Sequence, residues 1–208
     1  MSVADTNFVG VDLDYGPDGA VYMIDWVDQQ HCHSPHAERW DRSNGRIFRM
    51  AWSATFKPTK VNLQELTDAE LVELQSHKND WFVRIARRLL QERAASGKLV
   101  ADTNSRLHKL LGHREPRIVL RAMWALHATG SLEEKWLLKQ THDPREHIRV
   151  WAIKLLNDSS APSKAALKRF VKMAQTDTAG LVQLELASTL QQLPHVRRWE
   201  LATALVSQ

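Results

Sequence analysis

The hydrophobic pattern of this chain changes period once. Up to about Trp52 it alternates: Val9, Val11 and Leu13 fall on every second position, and Ala20 to Trp26 alternates again. A two-residue period places successive side chains on opposite faces of a strand. Between these runs Gly16-Pro17-Asp18-Gly19 supplies turn chemistry, with proline fixing φ and glycine accepting positive φ. Asn44-Gly45 marks a second turn, and Arg46 to Trp52 reads as a third strand. The prediction is a small β-meander.

From about Asn62 the period becomes helical, and the ends are punctuated. Thr67 with Glu70 forms a capping box ahead of Leu71, Val72 and Leu74. Asn79 or Asp80 caps a helix that stops near Gly97. A short helix carries Leu107, Leu110 and Leu111, and Pro116 opens one that runs to Gly130. Ser131 with Glu134 reads as a second capping box. Asp143, Pro144 and Glu146 read as cap, first-turn proline and acidic first turn. Pro162 and Ser163 open another helix, Pro194 closes the one after it, and a last helix covers His195 to about Val206.

The second helix of each pair repeats: "FVRIARRLL", "IVLRAMWAL", "IRVWAIKLL", "VQLELASTL". Small residues recur at Ala86, Ala122, Ala152 and Ala187, separated by 36, 30 and 35 positions. A small residue allows close helix crossing, and large ones a turn later fill the gap. Repetition at this period predicts a mainly α chain. It would be an α-solenoid of about four and a half HEAT-like helix pairs. The alternative is one irregular helical bundle. The expected division is a β fragment at 1–55 and the solenoid at 56–208.

Composition fits a globular protein, at 43% hydrophobic and 25% charged residues. No apolar run approaches the length of a bilayer span, so no membrane span is expected, and MSVADTNFVG lacks the form of a secretory signal. A net charge of +4, from 28 basic and 24 acidic residues, is too mild to require nucleic acid. The single cysteine, Cys32, excludes an internal disulfide, so the redox compartment is not encoded.

Three strands in about 50 residues leave two open edges and bury little. Yet Tyr22, Ile24, Trp26, Ile47, Phe48 and Trp52 are more apolar bulk than a free meander needs. The first 55 residues therefore read as part of a larger sheet. "GPDGAVYMIDW" followed by "NGRIFRM" resembles a closing blade in the β-propellers of glucose/sorbosone-type sugar dehydrogenases. It is most similar to the large membrane-bound dehydrogenases abundant in planctomycetes and verrucomicrobia. In that family HEAT-like repeats follow the propeller, and a c-type cytochrome domain often follows them. The resemblance implies a parent performing quinone-linked sugar oxidation with electron transfer. It implies quinone with calcium in the propeller, haem c in a further domain, and a periplasmic or cell-envelope location. This chain departs from the pattern. It holds one blade and no CxxCH motif, so it is expected to be inactive alone, with a protein partner or the remaining propeller as its contact.

The loop between the second and third strands holds the candidate chemistry. His31, Cys32, His33 and His36 lie within six residues, flanked by Asp25, Asp28 and Asp41. Imidazole suits zinc, copper or iron, and an extended segment would put His31 and His33 on one face. His31, His33 and His36 are thus the candidate metal ligands, although H-C-H-x-x-H is not a usual zinc spacing. Asp25 and Asp28 are the candidate cofactor-binding residues, since propeller sites gather where such loops leave the sheet. The plainer reading is a polar rim loop with paired or solvated histidines, and Arg46 in an ion pair with Asp25 or Asp41.

Two further features remain. Trp81, Trp124 and Trp151 of the chain's eight tryptophans lie in the repeated helices, which predicts packing between layers. "VRIARRLLQER", with Arg84, Arg87, Arg88 and Arg93, is the densest basic stretch. It reads as a solvated helix face, with a nucleic-acid-binding solenoid as the rival. His108, His113, His127, His142, His147 and His195 share no phase, and none is read as a ligand. Two readings of function stand beside the dehydrogenase-like fragment: an independent protein-binding HEAT module, and a nucleic-acid binder.

Overall fold

A computed structural model describes residues 5–28, 43–158 and 161–207. Helices take up more than half of the described residues, and a small antiparallel sheet precedes them. The chain divides into two compact units. One groups the residues up to Glu65 with His77–Arg84; the other holds Leu66–Ser76 and Ile85–Gln208.

In the first unit, strands β1 (Gly10–Tyr15), β2 (Val21–Asp25) and β3 (Arg46–Met50) pair in the order β1-β2-β3. The Gly16–Gly19 turn joins the first two. Gly16 N–H donates to the Ala20 carbonyl at 2.9 Å, and Gly19 takes φ +74°, where a side chain would be strained. Asp18 holds the turn through the Ala20 N–H at 3.1 Å and the Tyr22 hydroxyl at 3.1 Å. A β-bulge interrupts the β1–β2 register between Gly10 and Asp12. The third strand stops at Met50 rather than Trp52. Trp52 is 75% exposed, and the ladder it would have joined has ended. Leu13, Met23 and Phe48 lie opposite one another on one face; Asp12, Ile24 and Ile47 lie on the other. Of these six only Met23 is buried.

The helices are α1 (Asp68–Glu73), α2 (Asp80–Ala95), α3 (Thr103–Leu110), α4 (Pro116–Ala128), α5 (Glu134–Gln140), α6 (Glu146–Asn157), α7 (Lys164–Thr176), α8 (Gly180–Thr189) and α9 (His195–Val206). The Thr67/Glu70 capping box forms, and Ser163 caps α7 through the Ala166 N–H. The Ser131/Glu134 box does not. Gly130 at φ +70° ends α4, and the Ser131 N–H bonds back to the Leu126 carbonyl at 2.8 Å. Ser131 is thereby committed to closing the previous helix, and α5 starts without a side-chain cap. Asp143 caps a turn instead of α6, accepting the Arg145 N–H at 2.8 Å, and α6 begins at Glu146. Pro194 does not close α8, which ends at Thr189; it is the N-cap residue of α9.

In the second unit α4 packs on α6 and α6 on α8, while α3, α5 and α7 pack on α4, α6 and α8 respectively. Further contacts join α1 to α3 and α7 to α9. Ala86, Ala122 and Ala152 are fully buried, as the repeat predicts. Ala187 is exposed, and its neighbour Leu186 occupies the enclosed position. Val182, Leu186 and Thr189 form the buried stripe of α8, one position out of step with the sequence alignment.

Candidate functional site

In the sheet unit, Asp25 ends β2 and is 1% exposed. Its Oδ1 accepts the Val9 N–H at 2.9 Å and the Val27 N–H at 3.1 Å; its Oδ2 accepts Arg46 Nε at 2.7 Å. Arg46 Nη1 reaches Asp5 Oδ2 at 2.7 Å, and the guanidinium lies 5.4 Å from the Phe48 ring centre. Burial alone would push the Asp25 carboxyl up. The bonds from Val9, Val27 and Arg46 together outweigh it and hold Asp25 below the ordinary carboxylate range. Both oxygens of Asp25 thus accept from the protein's own donors. The carboxylate is a strand-end clamp, with Arg46 in the ion pair expected for it.

Asp28 is also buried, at 2% exposed, and its N–H donates to the Asn7 carbonyl at 2.9 Å. Between the two carboxylates Val27 takes φ +54°, a left-handed conformation costly for a β-branched residue, on the order of 1–3 kcal/mol. Its bond to Asp25 helps hold that geometry. The candidate ligands His31, His33 and His36 lie outside the described residues, as does Asp41. Among the described residues no group of three or more His, Cys, Asp or Glu converges as a metal site would.

The helical unit carries a second assembly of polar chemistry. The basic stretch of α2 is solvated in part, as expected: Arg84 and Arg88 are exposed, whereas Arg87 and Arg93 are partly buried against the protein. Arg84 forks onto both oxygens of Asp14 at 3.0 Å, within the sheet unit. Arg88 pairs with Glu92 at 3.3 Å, and Arg93 with the buried Asp68 and the Leu66 carbonyl. Arg87 lies over the Trp124 ring at 5.3 Å. Trp124 and Trp151 meet edge to face at 4.8 Å, and Lys154 caps Trp151 at 5.3 Å before pairing with Glu185 at 3.3 Å. Both indoles are half-buried, so they bridge neighbouring helices without being enclosed in the core. Beside them a cleft of about 360 Å³ is lined by Trp151, Lys154, Asp158, Glu185, Ser188 and Gln192.

The loops preceding α6 and α8 gather a third set. Arg145 grips Asp143 through Nε and Nη2 at 2.8 and 2.7 Å. Arg149 grips Asp177 through Nε and Nη2 at 2.7 and 2.9 Å. Arg169 donates to the Thr141 hydroxyl and carbonyl at 2.8 and 2.7 Å. Burial lowers the Arg169 guanidinium from its ordinary value, Asp177 opposes and Arg149 adds to the effect. Thr141, Asp143, Arg149, Arg169 and Asp177 line a cavity of about 340 Å³.

One recurrent device escaped the sequence reading. His77 Nδ1 accepts the Asn79 N–H, and His113 Nδ1 the Glu115 N–H, both at 3.0 Å. Asp143 accepts the Arg145 N–H at 2.8 Å, and Asp177 the Ala179 N–H at 3.1 Å. Nine positions after each acceptor comes the enclosed residue: Ala86, Ala122, Ala152 and Leu186. The signal was legible as H-x-N, H-x-E, D-x-R and D-x-A ahead of α2, α4, α6 and α8, once histidine and aspartate are treated as equivalent turn acceptors.

No family model matches this chain, and no curated protein is significantly similar to it.

Proposed function

We propose that this chain is a scaffold: a HEAT-like α-solenoid of helix pairs, preceded by a propeller-blade-like meander, that presents surface to a protein partner and turns over no substrate by itself. One observation carries the reading. Four alternate helices, α2, α4, α6 and α8, begin just after a turn closed by a histidine or aspartate and bury their anchor nine residues after that acceptor. A turn and an anchor repeated in step is how stacked helix pairs keep one geometry from layer to layer. The separations, 36, 30 and 34 positions, suit helix pairs of that class.

The resemblance of the opening segment supplies the parent: a propeller dehydrogenase performing quinone-linked sugar oxidation in the periplasm or cell envelope. Quinone and calcium would sit among blades other than this one, and haem c in a further domain. The commitment of Asp25 to Val9, Val27 and Arg46 supports a scaffold over a site here, because a carboxylate so engaged has little left to offer a cofactor. A rim of His31, His33 and His36 fits the same parent as a loop near the propeller mouth. The test is dye-linked turnover of aldose sugars by the purified chain with quinone and calcium added. The reading expects none, and robust turnover overturns it.

A further inference from the structure

The last helix carries an exposed apolar seam. Val196, Trp199, Thr203 and Val206 repeat at alternating steps of three and four, so that 196 and 203, and 199 and 206, stand seven apart. This is the a/d spacing of a coiled-coil face. Val196, Trp199 and Val206 are 87%, 70% and 82% exposed, and Thr203 is exposed beside them. The opposite face of α9 is already used, with Leu201 and Ala204 buried in the core shared with α7. One helix therefore has two apolar faces, and only one is covered.

We propose that a second copy of this chain covers the seam, α9 packing antiparallel on α9 about a two-fold axis near Leu201. The seam is self-complementary in that arrangement. Residues whose numbers add to 402 face one another, so Val196 meets Val206 of the second copy, and Trp199 meets Thr203 of the second copy. Beside Thr203 runs a groove of about 390 Å³, lined by Val171 and Gln175 of α7 and by Trp199, Glu200, Thr203, Ala204 and Ser207 of α9. A large indole faces the smaller Thr203 of the other copy at the edge of this groove, twice, by symmetry.

The area suits such a pair. The three exposed apolar side chains amount to about 400 Å² per copy, a patch of the size that marks interaction sites. Apolar atoms make up about three-fifths of an interface, so this core implies about 700 Å² per copy, near the lower end for specific association. A dissociation constant on the order of 10 μM is the expectation. Glu200 flanks the seam and meets its own copy close to the axis, an unfavourable like-charge pair.

The experiment is sedimentation velocity of the full chain from about 1 to 200 μM, with Trp199→Ala, Glu200→Gln and Leu184→Asp compared. Leu184 is 64% exposed on α8 and lies outside the seam. Circular dichroism checks that each variant keeps its helices. The expected result is a concentration-dependent dimer, weakened about a hundredfold or more by Trp199→Ala because both copies lose an indole. It should be tightened about twofold by Glu200→Gln and left unchanged by Leu184→Asp. A monomer at every concentration overturns the proposal and leaves the seam to a helix from another source. So does a dimer that survives loss of Trp199 or dissolves with Leu184→Asp.

Discussion

Arg149→Ala should cost the helical unit about 3 kcal/mol. The guanidinium donates twice to Asp177, at 2.7 and 2.9 Å, and its Nη1 donates to the Asp143 and Pro144 carbonyls at 2.8 and 3.1 Å. The two side chains are only 15% and 10% exposed, so water replaces a lost partner poorly. Removing one member of a buried pair costs about 3–5 kcal/mol. Here Asp177 keeps the Ala179 N–H and has Arg169 nearby, which puts the loss at the low end of that range. In a chain of this size Tm should fall by about 6–12 °C. Urea unfolding followed by circular dichroism at pH 7 gives the value. Asp177→Asn and the double variant complete a cycle with an expected coupling of about 2 kcal/mol. The pH dependence has a definite sign. Burial alone would raise the Asp177 carboxyl, but the bonds from Arg149 and Ala179, and the charges of Arg149 and Arg169, hold it below the ordinary range. A carboxylate depressed on folding stabilises above its unfolded value, and that stability disappears as pH falls through the folded value. The gap between parent and Arg149→Ala should therefore narrow on acidification from pH 7. A loss under about 0.5 kcal/mol, strict additivity in the cycle, or a gap that widens in acid would refute the reasoning.

Three other changes test separate parts of the account. Ala122→Leu should overpack a fully enclosed position and destabilise by about 1–3 kcal/mol in the same unfolding assay, whereas Ala187→Leu, on the exposed side of α8, should stay within about 0.5 kcal/mol. Phe170→Ala removes the largest fully buried side chain among the described residues and should cost about 3–5 kcal/mol; a smaller loss than Leu184→Ala at an exposed site would contradict the placement of the core. Asp25→Asn should shift the amide NMR resonances of Val9 and Val27 while leaving those of α6 and α8 in place. In the parent chain the same two amides should begin to move only as pH falls towards the depressed Asp25 value.

How far the sequence could be read varied with the kind of signal. Two of the strongest local signals, the Thr67/Glu70 box and the Gly16–Gly19 turn, behave as their residue types require, because few alternatives compete over four positions. Ser131 failed for the opposite reason. Two helices lay claim to it, and the end of α4 prevailed through Gly130. Ala187 misled because α8 has apolar residues around most of its circumference, so that residue type alone does not reveal the phase; burial assigns it to Leu186. Arg84 and Arg88 of α2 do face solvent, but the partners of Arg84, Arg87 and Arg93 (Asp14, Trp124 and Asp68) could not be read from the sequence because they lie 25 or more positions away along the chain. Asp25 was read as a candidate cofactor-binding carboxylate because it stands at a strand end beside a polar loop. Its partners, however, make it a clamp, and that depended on Val9 and Val27 amides that carry no mark in the sequence.

The central claim is that α2, α4, α6 and α8 share one register, each set by its turn acceptor and anchored nine residues later. Methyl NOE spectra of the labelled chain address it directly. The account predicts strong cross-peaks from Leu186 methyls to the core cluster that holds Ile153 and Phe170, and none from the Ala187 methyl. Cross-peaks from Ala187 in place of Leu186 would contradict it.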